Sequence, residues 1–130
     1  MKSADSLANA PEFGRGLLAL SQVNAWERDN IPYIDTASGR DLYFLLAGNA
    51  LLREEPHRAP VKSHALNLNA RTMRNRIKDF HAAGLISIAT SPEDGRARTI
   101  EPSEKLLKIF KEHNLAARDI FRAHFDFFTK

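Results

Sequence analysis

Between Arg58 and Lys78 the chain carries six basic side chains, Arg58, Lys62, Arg71, Arg74, Arg76 and Lys78, and no acidic one. Acids resume only at Asp79. Within that stretch the residue types suit the recognition of double-stranded DNA. The guanidinium groups of Arg71 and Arg74 are able to make paired hydrogen bonds to a guanine edge, and the amide of Asn75 to an adenine edge. Lys62, Lys78 and the hydroxyls of Ser63 and Thr72 suit phosphate oxygens. Asn69 fits the N-cap of a helix that opens at Ala70, because its side-chain oxygen accepts from the free amides of the first turn. Arg71 then sits in the first turn of that helix, where the partial positive charge of the helix end opposes it. An arriving anion relieves that conflict; the plainer alternative is a basic face exposed to solvent.

No comparable pattern supports catalysis. The histidines are His57, His64, His81, His113 and His124. On the expected helices none has a second His, Asp or Glu three or four residues away, and Glu54 and His57 are separated by the chain-breaking Pro56. There is no glycine-rich phosphate loop, no nucleophile elbow and no paired carboxylates of the kind acid-base work needs. The expectation is a protein that is not an enzyme and needs no metal or cofactor.

Residues 70–83, behind the N-cap Asn69, must be one helix to present this face. Met73, Ile77 and Phe80 fall on one side at helical spacing, while Arg71, Arg74, Asn75 and Lys78 spread over the other. Ahead of it, Pro60 fits the first position of a short helix through Val61, Ala65 and Leu68. Short helix, tight turn and second helix with a polar face outline a helix-turn-helix. Leu85, Ile86 and Ile88 read as a strand, Ser91 to Gly95 as a turn, and Arg96 to Glu101 as a returning strand stopped by Pro102. Arg96 and Arg98 on this hairpin are candidates for contact with the backbone or minor groove.

Further elements flank this core. Leu17, Leu18, Leu20, Val23 and Trp26 predict a helix from Gly16 to Arg28. Ser38 with Asp41 resembles a capping box, opening a second helix that ends near Glu54. The last helix starts at the N-cap Ser103. Leu106, Phe110, His113, Ala117, Ile120, His124 and Phe127 then form an apolar seam suited to packing along another long helix, with Asn114 a candidate break. The C-terminal end is more apolar than one small domain buries alone, and this predicts a homodimer.

The chain has 130 residues, 43% apolar and 27% charged, with a formal net charge of +3 and no cysteine. These values fit one globular domain without disulfides or thiolate metal sites, with an acidic partner. The first sixteen residues do not read as a signal peptide and no apolar run is long enough to span a membrane, so a cytoplasmic, nucleoid-associated protein is expected. The expected fold is mainly α with a small β-hairpin wing, a winged helix-turn-helix with N- and C-terminal dimerisation helices. Residues 1–15 are expected as a flexible lead, 16–54 as N-terminal helices, 60–101 as helix-turn-helix and wing, and 103–130 as the dimerisation helix.

The segment LNARTMRNRIKDFHAAGLISIATSPEDGRARTIEPSEK resembles the helix-turn-helix and wing of the MarR-type regulators, the multiple-antibiotic-resistance repressor family. The likeness lies in Thr72-Met73, in Gly84-Leu85-Ile86, in Asp94 and Arg96 at the wing tip, and in Ser103 nine residues after Asp94. Ser87, Pro102 and Leu106 depart from the family pattern. The resemblance implies a homodimeric transcriptional regulator on a pseudo-palindromic operator, with helix 70–83 in the major groove and wing 91–99 at the minor groove. By it, Arg71, Thr72, Arg74 and Asn75 face base edges, and Arg96, oriented by Asp94, enters the minor groove. It also implies that a small aromatic effector could bind among Trp26, Tyr33, Tyr43 and the C-terminal phenylalanines, which serve equally well as core. Two other readings stay open: a protein-interaction module with a basic docking face, and a DNA-binding replication or plasmid-maintenance protein.

Overall fold

The computed structural model describes residues 10–52, 61–62, 70–90 and 98–125. Among these, four helices and three short strands follow in the order α1 (Ala10–Asn30), α2 (Ala37–Leu51), β1 (Val61–Lys62), α3 (Ala70–Ala82), β2 (Ile86–Thr90), β3 (Arg98–Pro102) and α4 (Glu104–His124). The chain groups into two units, one of residues up to 30 together with those from 112 on, the other of residues 31–111. The second holds α2, the sheet, α3 and the first turns of α4.

In this second unit α2 packs on α3, and the core between the elements is apolar. Leu42, Tyr43 and Leu46 of α2, Met73 and Phe80 of α3, Leu85, Ile86 and Ile100 of the hairpin, and Leu106 and Phe110 of α4 are all buried. The Tyr43 ring meets Phe110 edge-on with centroids 5.2 Å apart, a preferred aromatic geometry. The sheet order is β1-β3-β2 with antiparallel neighbours. Ile86 and Ile88 lie opposite Pro102 and Ile100, and Ser87 and Ala89 opposite Glu101 and Thr99. This alternation turns Ile86, Ile100 and Pro102 to the core, while Ser87 and Ala89 are exposed on the other face.

Several boundaries differ from the sequence reading, each for a local reason. The first helix begins at Ala10 rather than Gly16, so residues 10–15 of the expected flexible lead are helical. Pro11 is tolerated there because the first amides of a helix have no intrahelical acceptor. The cap of α2 is Thr36 rather than Ser38: its hydroxyl oxygen accepts from the Gly39 amide at 3.0 Å. Among the described residues the helix runs to Leu51, with Leu52 as its C-cap; the expected end near Glu54 lies outside them.

Val61 and Lys62, expected in a short helix, instead form β1 opposite Ile100 and Thr99. Ala65 and Leu68 of that expected helix lie outside the described residues. Pro102 belongs to β3 instead of stopping it. The Ser103 amide donates to the Leu85 carbonyl at 2.9 Å. That makes Ile86 and Pro102 a pair that exchanges no hydrogen bonds, so the missing N–H of Pro102 removes none between β2 and β3. Finally, α4 runs through Asn114 without a break.

In the first unit, Glu27 of α1 is 3% exposed and accepts from His113 Nε2 at 3.0 Å. His124 and Gln22 pair similarly, Nε2 to Oε1 at 3.1 Å. Among the described residues no helix is long and apolar enough to cross a membrane.

Candidate nucleic-acid interface

The candidate interface begins with how α3 ends. Gly84 has φ +75°. Its amide donates to the His81 carbonyl at 3.0 Å and the Leu85 amide to the Phe80 carbonyl at 2.9 Å. These two bonds close the helix in a Schellman motif, which needs a left-handed residue at that position. Leu85 and Phe80 are both buried beneath it, the apolar contact that accompanies such an ending.

With Met73 and Phe80 buried and Ile77 half-buried, the opposite side of α3 is fixed outward. Arg71, Thr72, Arg74, Asn75 and Lys78 are all exposed. Positions 71, 74, 75 and 78 follow the three-four spacing of a single helix face, so three cations and one amide share one surface. Arg76, also on α3, is half-buried and makes two side-chain contacts. Its Nε donates to the buried Ser38 Oγ at 2.8 Å, and its Nη1 donates to Asp79 Oδ2 at 2.6 Å. Its charge is met by a carboxylate on its own helix, and its side chain is 21% exposed.

The turn before α2 fixes the neighbouring helix. Tyr33 has φ 64°, a backbone conformation that a bulky residue adopts only when its surroundings hold it there. Its carbonyl accepts from the Thr36 amide at 3.2 Å and from the Thr36 hydroxyl at 2.8 Å. Its ring stacks on Phe80 of α3, centroids 5.8 Å apart.

Of the sequence-predicted site residues, the structure brings Arg71, Thr72, Arg74, Asn75 and Lys78 together on α3. Lys62 and Arg98 are placed by their backbone alone, Lys62 in β1 opposite Thr99 and Arg98 at the distal end of the hairpin opposite Thr90. Ser63, Asn69, Asp94 and Arg96 lie outside the described residues, as do Phe127 and Phe128. Of the aromatic residues considered for an effector, Tyr43 is fully buried core, and Trp26 is stacked on His113. Sequence reasoning missed the Arg76 contact with Ser38. The spacing of Arg76 and Asp79 hints that this arginine is committed, whereas nothing local marks Ser38 as its second partner. Among the described residues, no group of three or more His, Asp or Glu side chains could hold a metal ion.

No family model matches this chain, and no curated protein matches it. Among solved structures, the crystal structure of a probable transcriptional regulator from Pseudomonas aeruginosa is similar over 82% of this chain and 77% of its own, with 19% sequence identity and a TM-score of 0.50. At that identity the likeness shows a shared fold, mainly helical with a small antiparallel sheet.

Proposed function

We propose that this protein is a sequence-specific reader of double-stranded DNA and a transcriptional regulator of MarR type. It inserts α3 into the major groove and sets the 91–99 wing against the minor groove. The observation that carries this reading is the division of α3 into a buried apolar side and an exposed side bearing Arg71, Thr72, Arg74, Asn75 and Lys78. That surface combines groups that read base edges with groups that hold phosphates, and it is followed directly by a hairpin. The solved structure of similar fold carries the description of a probable transcriptional regulator, which supports the use of such binding in transcription. We read the protein as a binding protein and not an enzyme.

The reading includes a homodimer on a pseudo-palindromic operator. The exposed apolar side of α1 supports it: Phe13 is 68%, Leu17 50% and Leu20 49% exposed. With Glu12, Gly16 and Phe125 these residues line a groove of about 400 Å³. An apolar surface of this kind is costly to leave in water and suits a second protomer.

The test is selection from a random duplex library at about 150 mM salt, where non-specific phosphate binding is suppressed. The reading expects an enriched inverted repeat with half-sites about one helical turn apart. Absence of any enriched sequence would turn the basic helix into a docking face for an acidic protein partner.

A further inference from the structure

The outward face of α3 is a reading surface only if the helix is held at a fixed angle, and the contacts that hold it come from outside the helix. At its carboxyl end, the carbonyls of the three residues that follow the helix, Ala83, Gly84 and Leu85, are all engaged by Ser103 and Lys105 at the start of α4. The Ala83 carbonyl accepts from Lys105 Nζ at 3.1 Å. The Gly84 carbonyl accepts from the Ser103 hydroxyl at 2.8 Å, and the Leu85 carbonyl from the Ser103 amide at 2.9 Å. The Ser103 hydroxyl also accepts from the Leu106 amide at 3.2 Å, so its one proton closes the clasp while its oxygen caps α4. The Lys105 ammonium lies at the negative end of the α3 dipole, where a cation is favoured.

At mid-helix a second hold comes from α2. Ser38 is 3% exposed, and its hydroxyl oxygen accepts from Arg76 Nε–H. Asp79 accepts a second hydrogen bond from the same guanidinium. A planar fork with donors on two edges spans both acceptors at once, which a lysine ammonium on a flexible stem cannot do in the same geometry.

We propose that Ser38, Arg76, Ser103 and Lys105 are positioning residues that set the angle of α3 without touching base or phosphate themselves. The inference rests on the reading of α3 as the DNA-reading helix. Paired hydrogen bonds to a base edge tolerate only small displacements, so loosening either hold costs discrimination between sequences rather than general affinity. A direct phosphate contact behaves in the opposite way, weakening all duplexes alike and lowering the salt slope.

The experiment measures wild type, Ser103→Ala, Ser103→Thr, Arg76→Lys and Lys105→Met on the duplex that wild type enriches and on a scrambled duplex, over a range of salt, with urea unfolding in parallel. Ser103→Ala, Arg76→Lys and Lys105→Met should each lose about five- to ten-fold in the preference for the enriched duplex, the scale of one hydrogen bond. The salt slope should stay that of wild type, and Ser103→Thr, which keeps the hydroxyl, should restore the preference. Arg76→Lys and Lys105→Met retain the side-chain stem and keep the test valid if Ser103→Ala loses stability. Variants that weaken both duplexes equally with a salt slope lower by about one would overturn the inference. Variants with wild-type discrimination would overturn it too, while leaving the reading of α3 standing. A wild type that enriches no duplex would overturn both.

Discussion

The imidazole of His113 lies flat on the indole of Trp26, with ring centroids 5.3 Å apart and planes 8° apart. The same imidazole donates to Glu27, whose side chain is only 4% exposed. Removing the imidazole takes from this buried carboxylate a hydrogen bond to a charged group, which replaced part of the water it gave up. His113→Ala should therefore cost about 2 to 4 kcal/mol in urea unfolding. Trp26 is the single tryptophan of the chain, so its emission follows the transition and should also shift in the native state. A cost below about 0.5 kcal/mol would mean that the stacked pair is incidental to stability.

The turn before α2 makes a second prediction. A Cβ on Gly39 would lie 2.6 Å from Thr36 Oγ1 and would also run into the Tyr33 carbonyl. Backbone and cap would both have to move, so Gly39→Ala should destabilise by about 2 kcal/mol or more although alanine is the better helix former. Thermal unfolding of the variant checks this, and a stabilised variant would mean that the turn yields freely.

Much of the exposed face of α3 and of the hairpin after it was legible because it is written locally. Met73, Ile77 and Phe80 recur at helical spacing, and Gly84 stands where a left-handed ending is needed. Ile86, Ile88 and Ile100 alternate as half-buried strands do. What escaped was decided at a distance. Thr36 and Ser38 carry equivalent capping chemistry, and Ser38 is instead drawn into a bond with Arg76, 38 residues away. Val61 and Lys62 are too few to declare a strand by pattern, and their conformation comes from pairing with β3. The early start of α1 was hidden by Pro11, which breaks helices only beyond the first turn.

Lys78 should behave as a phosphate contact. Lys78→Ala is expected to weaken enriched and scrambled duplexes by similar factors and to lower the salt slope by about one. Titrations at several salt concentrations measure this. A loss confined to the enriched duplex would instead assign Lys78 to base reading.

The apolar side of α1 predicts the assembly. Leu17→Glu places a charge in the groove beside Phe13, Leu20 and Phe125. It should shift the protein from dimer to monomer in sedimentation and weaken operator binding, since a monomer engages only one half-site. An unchanged dimer would move the interface elsewhere on the chain.

The central claim is that the exposed face of α3 reads bases, and the most direct measurement is the affinity of an Arg71→Ala, Arg74→Ala double variant for the enriched duplex at about 150 mM salt. Each arginine on a base edge is expected to contribute about 1 to 3 kcal/mol. The double variant should therefore lose at least about thirtyfold on the enriched duplex, and that duplex should become barely distinguishable from a scrambled one. Wild-type affinity and preference in the double variant would contradict the account.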